Sequence, residues 1–564
     1  MCLLLLLLSL KSGWHKLDNT QALLFFTINI WLTLLFVAAS AAGEQPVHRE
    51  YRPGSNYFTK KRHHVTAGTK NALQLVRQTS FNYAMLVDCG SSGTQAFIYY
   101  WPSSVKDFDE ITNQIRKLQD STGKDVTFEK SPGLSSVRED PSTASEYTRP
   151  FMDFAREHIP REKRANAPVM FMATAGLRQL NDSLQHRIMS DIVTDLKRSY
   201  TDFRDIRARV ISGFEEGSYM WLSANGVAGR LKDGGQLDRY GRQRHYSIVE
   251  MGGASVQVTF GLTPELDKRI QQRLARTASA EAQIMFQRSR RMVPTGTNQS
   301  SEVFSISLLG FGSNAARDLA TDLLVRDFAA SSRHLLDHAD RSDLAESTFL
   351  IGDPCLPIGG TQVFRKSVGL LIKERDSPRP IGQSANDDEP MFNARFIGTR
   401  GNVGLCQQLL MRSIMVAKAE RYECPHKADQ LESCPVSLLA VDFVPFDQLH
   451  MIGLSEFFYI SRAFYDTTGL YQAPVALSKI MRLCQVPYQT LLKQYPDEIP
   501  KHPKQILLGC FKANWIFVWL HFALRMPQNY LLSDLTLIQK LNNINVEWTR
   551  GALIAELSKA AGNN

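Results

Sequence analysis

Asp88-Cys-Gly-Ser-Ser-Gly-Thr94 and Glu250-Met-Gly-Gly-Ala-Ser255 are the two stretches whose reading decides the fold. Each follows an apolar run that ends in a carboxylate, Tyr83 to Asp88 and Tyr246 to Glu250, turns through Gly and Ser, and returns as a second apolar run, Thr94 to Trp101 and Ala254 to Phe260. Apolar runs of this length bounded by Gly and Ser predict β-strands, and a short turn between two of them predicts a hairpin. Finding the same trace twice predicts a duplication: two similar lobes, each with one acidic glycine turn.

Working outward, the runs PVMFMA at Pro168 to Ala173 and IRARVI at Ile206 to Ile211 add strands, and longer helical patterns lie between them. Alternation of this kind predicts an α/β chain. Successive backbone N–H groups in a tight Gly/Ser turn form a nest for phosphate oxygens, and small hydroxyls add donors without bulk. Two such turns facing each other across a cleft could hold a polyphosphate. The carboxylates entering them would repel it unless a divalent cation intervened, so the pattern implies Ca²⁺ or Mg²⁺. A third stretch, Ile211-Ser-Gly-Phe-Glu-Glu-Gly-Ser-Tyr-Met-Trp221, reads as a strand end followed by an amphipathic helix that opens on paired carboxylates. Attack of water on a phosphoanhydride needs a general base, and a carboxylate here can supply it. Paired Glu residues near a helix start also occur simply as partners of the helix dipole.

The chain of 564 residues, 43% hydrophobic, is long enough for two or more domains. Its net charge of +9 arises from 65 Lys and Arg spread among 56 Asp and Glu without a long basic block, which argues against a nucleic-acid partner. Ala22 to Ala42 carries no charge and is long enough to span a bilayer. It reads as an N-terminal membrane helix or, with small residues at Ala38 to Gly43, as a signal peptide. Either way the remainder is expected in the secretory lumen, anchored or secreted. Cys355, Cys406, Cys424, Cys434, Cys484 and Cys510 lack metal-site spacing and read as disulfides, with sequential pairing as the simplest arrangement and spacing unable to decide it. Asn181-Asp-Ser and Asn298-Gln-Ser are glycosylation sequons.

Together these residues resemble the apyrase family, the nucleoside triphosphate diphosphohydrolases. The resemblance rests on Asp88 to Thr94, Thr174-Ala-Gly-Leu-Arg178, Glu216-Gly-Ser-Tyr-Met-Trp221 and Gly252 to Gln257, in family order. Leu309 to Arg317 and Gly453-Leu-Ser-Glu-Phe-Phe-Tyr459 are similar to the Golgi and lysosomal branch. It implies an actin-like fold of two RNase H-like lobes with the active site in the cleft between them. The expected organisation is a hydrophobic anchor or signal segment at 1–44, a stalk at 45–80, a first lobe at 81–205, a second at 206–525, and a return to the first at 526–564. It also implies nucleoside di- and triphosphate substrates and a Golgi or other secretory-pathway membrane.

Carried over residue by residue, Glu216 is the general base, and Ser255 and Gln257 position the attacking water. Ser91, Ser92, Gly93, Thr94, Gly252, Gly253 and Ala254 hold phosphates. Asp88 and Glu250, with Thr174 and Ala175, hold the metal through water, and Phe458 stacks on the nucleobase. Three positions depart from the family pattern: Gln95 replaces an Arg, Glu250 an Asp, and Val256 a Thr. Val256 is therefore expected to cost the phosphate site a hydroxyl.

Overall fold

The computed structural model describes residues 81–562 apart from 106–107, 233–235, 239–241, 278–279, 297–298, 337–339, 372–388, 422–443, 466–468, 495–502 and 528–533. The N-terminal apolar segment and stalk, Cys424, Cys434 and Asn298 lie outside these residues. Among the described residues no helix is long and apolar enough to cross a membrane.

Strands β1 (Phe81–Cys89), β2 (Thr94–Pro102), β3 (Arg116–Lys117), β4 (Thr127–Lys130), β5 (Val169–Ala173) and β6 (Ile206–Val210) form the first sheet, in the order β3-β2-β1-β5-β6 with β4 also on β2. β1 runs antiparallel to β2 and parallel to β5, and β5 is parallel to β6. Next come β7 (Tyr246–Met251), β8 (Ser255–Gly261), β9 (Arg290–Gly296) and β10 (Gln299–Leu309). A small parallel and antiparallel sheet of β11 (Thr348–Asp353), β12 (Thr361–Ser367) and β13 (Met391–Gly398) follows. β14 (His450–Ser455), β15 (Gly469–Leu470) and β16 (Asp534–Leu537) then complete the second large sheet, β15-β16-β14-β7-β8-β10-β9. Its core order, β10-β8-β7-β14-β16, repeats the first sheet strand for strand, with β7 antiparallel to β8 and parallel to β14. This is an actin-like fold of two RNase H-like lobes.

The period of two along each strand sends alternate side chains to opposite faces. In the first sheet, Tyr83, Met85, Val87 and Cys89 face an outer core with Phe151 and Ile188, while Ala84 and Leu86 face inward. The inner faces of both sheets share one cluster that includes Leu86, Met172, Ile248, Ile452, Trp221 and Leu553. Helix Gly213–Val227 and helix Trp548–Gly562 supply its middle layer and pack against each other. The first of these helices is buried at every position from Glu216 to Val227 and so is not amphipathic as the sequence suggested. A helix wedged between two sheets has no solvent face to mark with polar residues.

Two boundaries shift. β6 hydrogen-bonds to β5, so the first lobe runs through Val210 and not 205. β16 pairs with β14, so the segment after 526 completes the second sheet before helix Trp548–Gly562 packs onto β1 of the first. Disulfides Cys355–Cys406 and Cys484–Cys510 follow the sequential pairing.

Candidate active site

The two glycine turns meet. A Cβ added at Gly253 would lie 2.7 Å from Ser91 Oγ and 2.8 Å from Ser92 Oγ, so any larger residue would have to displace these serine hydroxyls. Asn314 Nδ2 donates to Ser92 Oγ at 2.8 Å, tying the second lobe to the first turn. Gly176 is another close approach, its Cβ position lying 2.8 Å from Ser91 Cα, and it seats the Thr174–Arg178 turn against the first nest. The amides of Ser91, Ser92, Gly93, Gly253 and Ala254 donate to no described residue. Gly252 N–H, also expected on phosphate, instead closes its own turn onto Ser255 O at 3.0 Å.

Asp88 and Glu250 are the last residues but one of β1 and β7, and strand alternation puts them on the inward faces with Leu86 and Ile248. Asp88 Oδ2 accepts from Trp548 Nε1 at 3.1 Å, whereas its Oδ1 is buried without a partner among the described residues. Burial, then the nearby Glu216 charge, push Asp88 up to about 7; the Trp548 hydrogen bond opposes this. Burial and Glu216 likewise push Glu250 up to about 8, against a hydrogen bond from Ser455. Buried carboxylates that repel each other, one with an orphaned oxygen, are a donor set suited to a hard divalent cation. No cluster of three or more His, Cys, Asp or Glu side chains is close enough to cage a metal directly among the described residues, so the fit is to a cation that keeps water ligands. Thr174 and Ala175, both buried, begin the turn beside Cys89, with Thr174 N–H donating to Cys89 O at 3.3 Å.

Glu215 and Glu216 separate cleanly. Glu215 forms a capping box with Ser212 and an ion pair with Arg209 at 2.8 Å, which commits it to starting the helix. Glu216, 8% exposed, receives Arg178 Nη2 at 2.7 Å and Gln257 Nε2 at 2.9 Å, both on Oε2. Its Oε1 accepts from no described residue. Gln257 Nε2 also reaches Ser255 Oγ at 2.7 Å and Ser307 Oγ at 3.0 Å, and Arg178 Nη2 lies 3.3 Å from Ser307 Oγ. Gln257 Oε1 is buried and has no partner among the described residues. Neither the role of Arg178 nor Ser307 was read from the sequence. Arg178 stood inside a quoted motif, while Ser307 carries no local signal and joins the cluster only because β10 pairs with β8 in register Ser307↔Gln257.

Two side chains point elsewhere than expected. Thr94, fully buried, accepts at its hydroxyl from Leu134 N at 3.2 Å and Tyr147 OH at 3.0 Å, beneath the nest. Val256 packs in the outer core of the second lobe with Val249, Met251 and Val258. The two are equivalent in the duplication, each paired with the residue after the carboxylate, as Cys89↔Thr94 and Met251↔Val256. A hydroxyl at Val256 would not reach phosphate, which corrects the expected loss of a donor. Gln95 does face the cleft, paired with Asp88 as Gln257 is with Glu250. Phe458 lies half-buried on helix Glu456–Ile460, edge-on to Tyr459 at 5.6 Å. Asn181 is exposed, its Oδ1 capping helix Asp182–Ser199.

Residues 74–563 match the model of the GDA1/CD39 (nucleoside phosphatase) family. The chain belongs to this family. It is 27% identical to ectonucleoside triphosphate diphosphohydrolase 7 of Homo sapiens over 486 residues, 84% of this chain and 73% of that protein. It is 26% identical to nucleoside-diphosphatase mig-23 of Caenorhabditis elegans, over 84% and 76% of the two chains, and 28% identical to probable apyrase 5 of Arabidopsis thaliana, over 85% and 83%. A solved structure described as nucleoside triphosphate hydrolases from Neospora caninum shares the fold at TM-score 0.53 and 15% identity, over 87% of this chain and 96% of that one. This nucleoside phosphatase is therefore an apyrase-type enzyme that hydrolyses phosphate from nucleotides.

Proposed function

We propose that the chain removes the terminal phosphate of nucleoside di- and triphosphates, of the UDP, GDP and UTP type, by in-line attack of water activated by Glu216. The observation that carries this reading is the convergence of Arg178 and Gln257 on Glu216 Oε2, which fixes the carboxylate and leaves Oε1 to accept the water's proton. Gln257 Oε1 can accept the water's other hydrogen, and Ser255 and Ser307 hold the Gln257 amide in that orientation. The open amides of Ser91 to Gly93 and of Gly253 and Ala254 orient the phosphates. Asp88 and Glu250, with Thr174 and Ala175, would hold Ca²⁺ or Mg²⁺ through its waters, and the bound cation supplies charge neutralisation at the phosphate oxygens. Phe458 offers a ring face for the base, giving affinity with little base selectivity.

The site is proposed to work in the secretory lumen, at a Golgi or related membrane, with the segment at 22–42 as anchor. Two disulfides suit an oxidising compartment. Phosphate release from UDP, GDP, UTP and ATP by wild type and Glu216→Gln tests the reading. The amide keeps the shape but cannot take a proton, so turnover should fall by about 10²- to 10⁴-fold with nucleotide binding retained. Retained turnover in Glu216→Gln, or its loss in Glu215→Gln alone, would refute the assignment.

A further inference from the structure

Three polar side chains, drawn from both lobes, converge on Gly253. Its Cβ position lies 2.7 Å from Ser91 Oγ, 2.8 Å from Ser92 Oγ and 3.0 Å from Asn314 Nδ2. The serines belong to the first glycine turn, whereas Asn314 stands in the first turn of helix Ser313–Ser331. The backbone seats that helix on the second glycine turn: Ser313 N–H donates to Gly252 O at 2.9 Å, and the N–H groups of Asn314 and Ala315 donate to Gly253 O at 2.9 and 3.1 Å. Gly312, just before the helix, has its Cβ position 2.4 Å from Ala254 N, so helix start and turn are in direct contact.

The Asn314 side chain does no work for its own helix. Asn is a preferred N-cap, yet the cap here is Gly312 and no side chain caps the helix. Asn314 is exposed instead and gives one Nδ2 hydrogen to Ser92 Oγ at 2.8 Å, across the lobes. The second Nδ2 hydrogen meets no acceptor among the described residues. On one side of it stand the amides of Ser91, Ser92 and Gly93, on the other those of Gly253 and Ala254, and none of these donates to a described residue. A primary amide fixed between two sets of open N–H groups adds a donor where both turns can reach the same anion.

We propose that Asn314 contacts the substrate, its Nδ2 donating one hydrogen to Ser92 and the other to a phosphate oxygen of the bound nucleotide. The proposal rests on reading the two glycine turns as the phosphate site. Hydrolysis of UDP by wild type, Asn314→Ala, Asn314→Asp and Gly253→Ala, with melting temperatures of all four, tests it. Asn314→Ala should lower kcat/KM by about 10- to 100-fold, the range of one hydrogen bond to a charged group. Asn314→Asp should lower it by at least as much, because a carboxylate offers no donor and repels phosphate. Its melting temperature should nonetheless match or exceed that of wild type, since a carboxylate in the first turn of a helix is favourable.

A side chain that only pins the lobes together gives a different order. The carboxylate of Asn314→Asp still accepts from the Ser92 hydroxyl, so kcat/KM near wild type in that variant, with loss in Asn314→Ala, overturns the phosphate contact. Loss in Asn314→Asp alone shows proximity without a hydrogen bond and overturns it equally. Wild-type kcat/KM in both Asn314 variants, with a fall in Gly253→Ala, removes Asn314 from the site and leaves the reading of the turns standing. Wild-type kcat/KM in all three variants overturns both.

Discussion

Cation binding to the nucleotide-free protein should be steeply dependent on pH, because the two carboxylates at the strand ends hold protons that the cation must displace. Asp88 is pushed up to about 7 and Glu250 to about 8, in both cases by burial first and by the Glu216 charge second. Each group multiplies the apparent dissociation constant by 1 + 10^(pKa − pH) when only its ionised form binds. At pH 6 that is about tenfold for Asp88 and about hundredfold for Glu250, whereas at pH 9 both factors approach one. Affinity should therefore rise on the order of a thousandfold from pH 6 to pH 9, with between one and two protons released per cation near pH 7. Titration calorimetry in two buffers of different ionisation enthalpy measures both quantities.

The stability sign is opposite to that of an ordinary salt-bridged acid. With folded values raised above unfolded ones, the native state binds more protons between about pH 4 and pH 8, so cation-free stability should fall as pH rises through that window. Added cation should then raise the melting temperature more at pH 8.5 than at pH 5.5. A change in affinity of less than about tenfold across the range, with no proton release, would refute the view that these buried carboxylates form the cation site.

Other outcomes follow from single contacts. Val256→Thr should destabilise by about 1–3 kcal/mol, by burying a hydroxyl among Val249, Met251 and Val258, and should leave the Michaelis constant unchanged; a lowered constant would show that the side chain reaches phosphate. Glu250→Asp should raise the Mg²⁺-supported rate relative to the Ca²⁺-supported one at saturating nucleotide, because the shorter carboxylate leaves room for the strict octahedral shell of Mg²⁺, and an equal ratio in both proteins would argue against this. Gly253→Ala should raise the Michaelis constant by about tenfold, since its Cβ would crowd Ser91, Ser92 and Asn314 and break the Ser92–Asn314 hydrogen bond. Unaltered kinetics in that variant would mean the turns part freely.

The architecture was legible because the two hairpins announce themselves locally: carboxylate, glycine turn, return strand, from Asp88 to Pro102 and from Glu250 to Gly261. The strand at Ile206 was visible as well, but its sheet was not, since the apolar run does not say which neighbour completes its hydrogen bonds. Helix Gly213–Val227 misled for the opposite reason, its uniform burial erasing the periodicity that marks a surface helix. Within the site, residues next to a signature in sequence were found, and those delivered by sheet register were missed. Ser307 is one such. Thr94 and Val256 show that even a motif residue must be asked which face its strand gives it, a question that counting by twos from Asp88 and across the paired turn could have answered.

The Trp548–Asp88 hydrogen bond joins residues 460 positions apart, and it bears on when activity begins. At about 5–20 residues per second, roughly half a minute to a minute and a half of synthesis separates the first carboxylate from the indole that holds it. Helix Trp548–Gly562 is also what covers helix Gly213–Val227, so a nascent chain that has folded its first sheet still lacks the layer behind Glu216, the proposed general base. The proposed catalytic centre therefore stays incomplete until helix Trp548–Gly562 has been made.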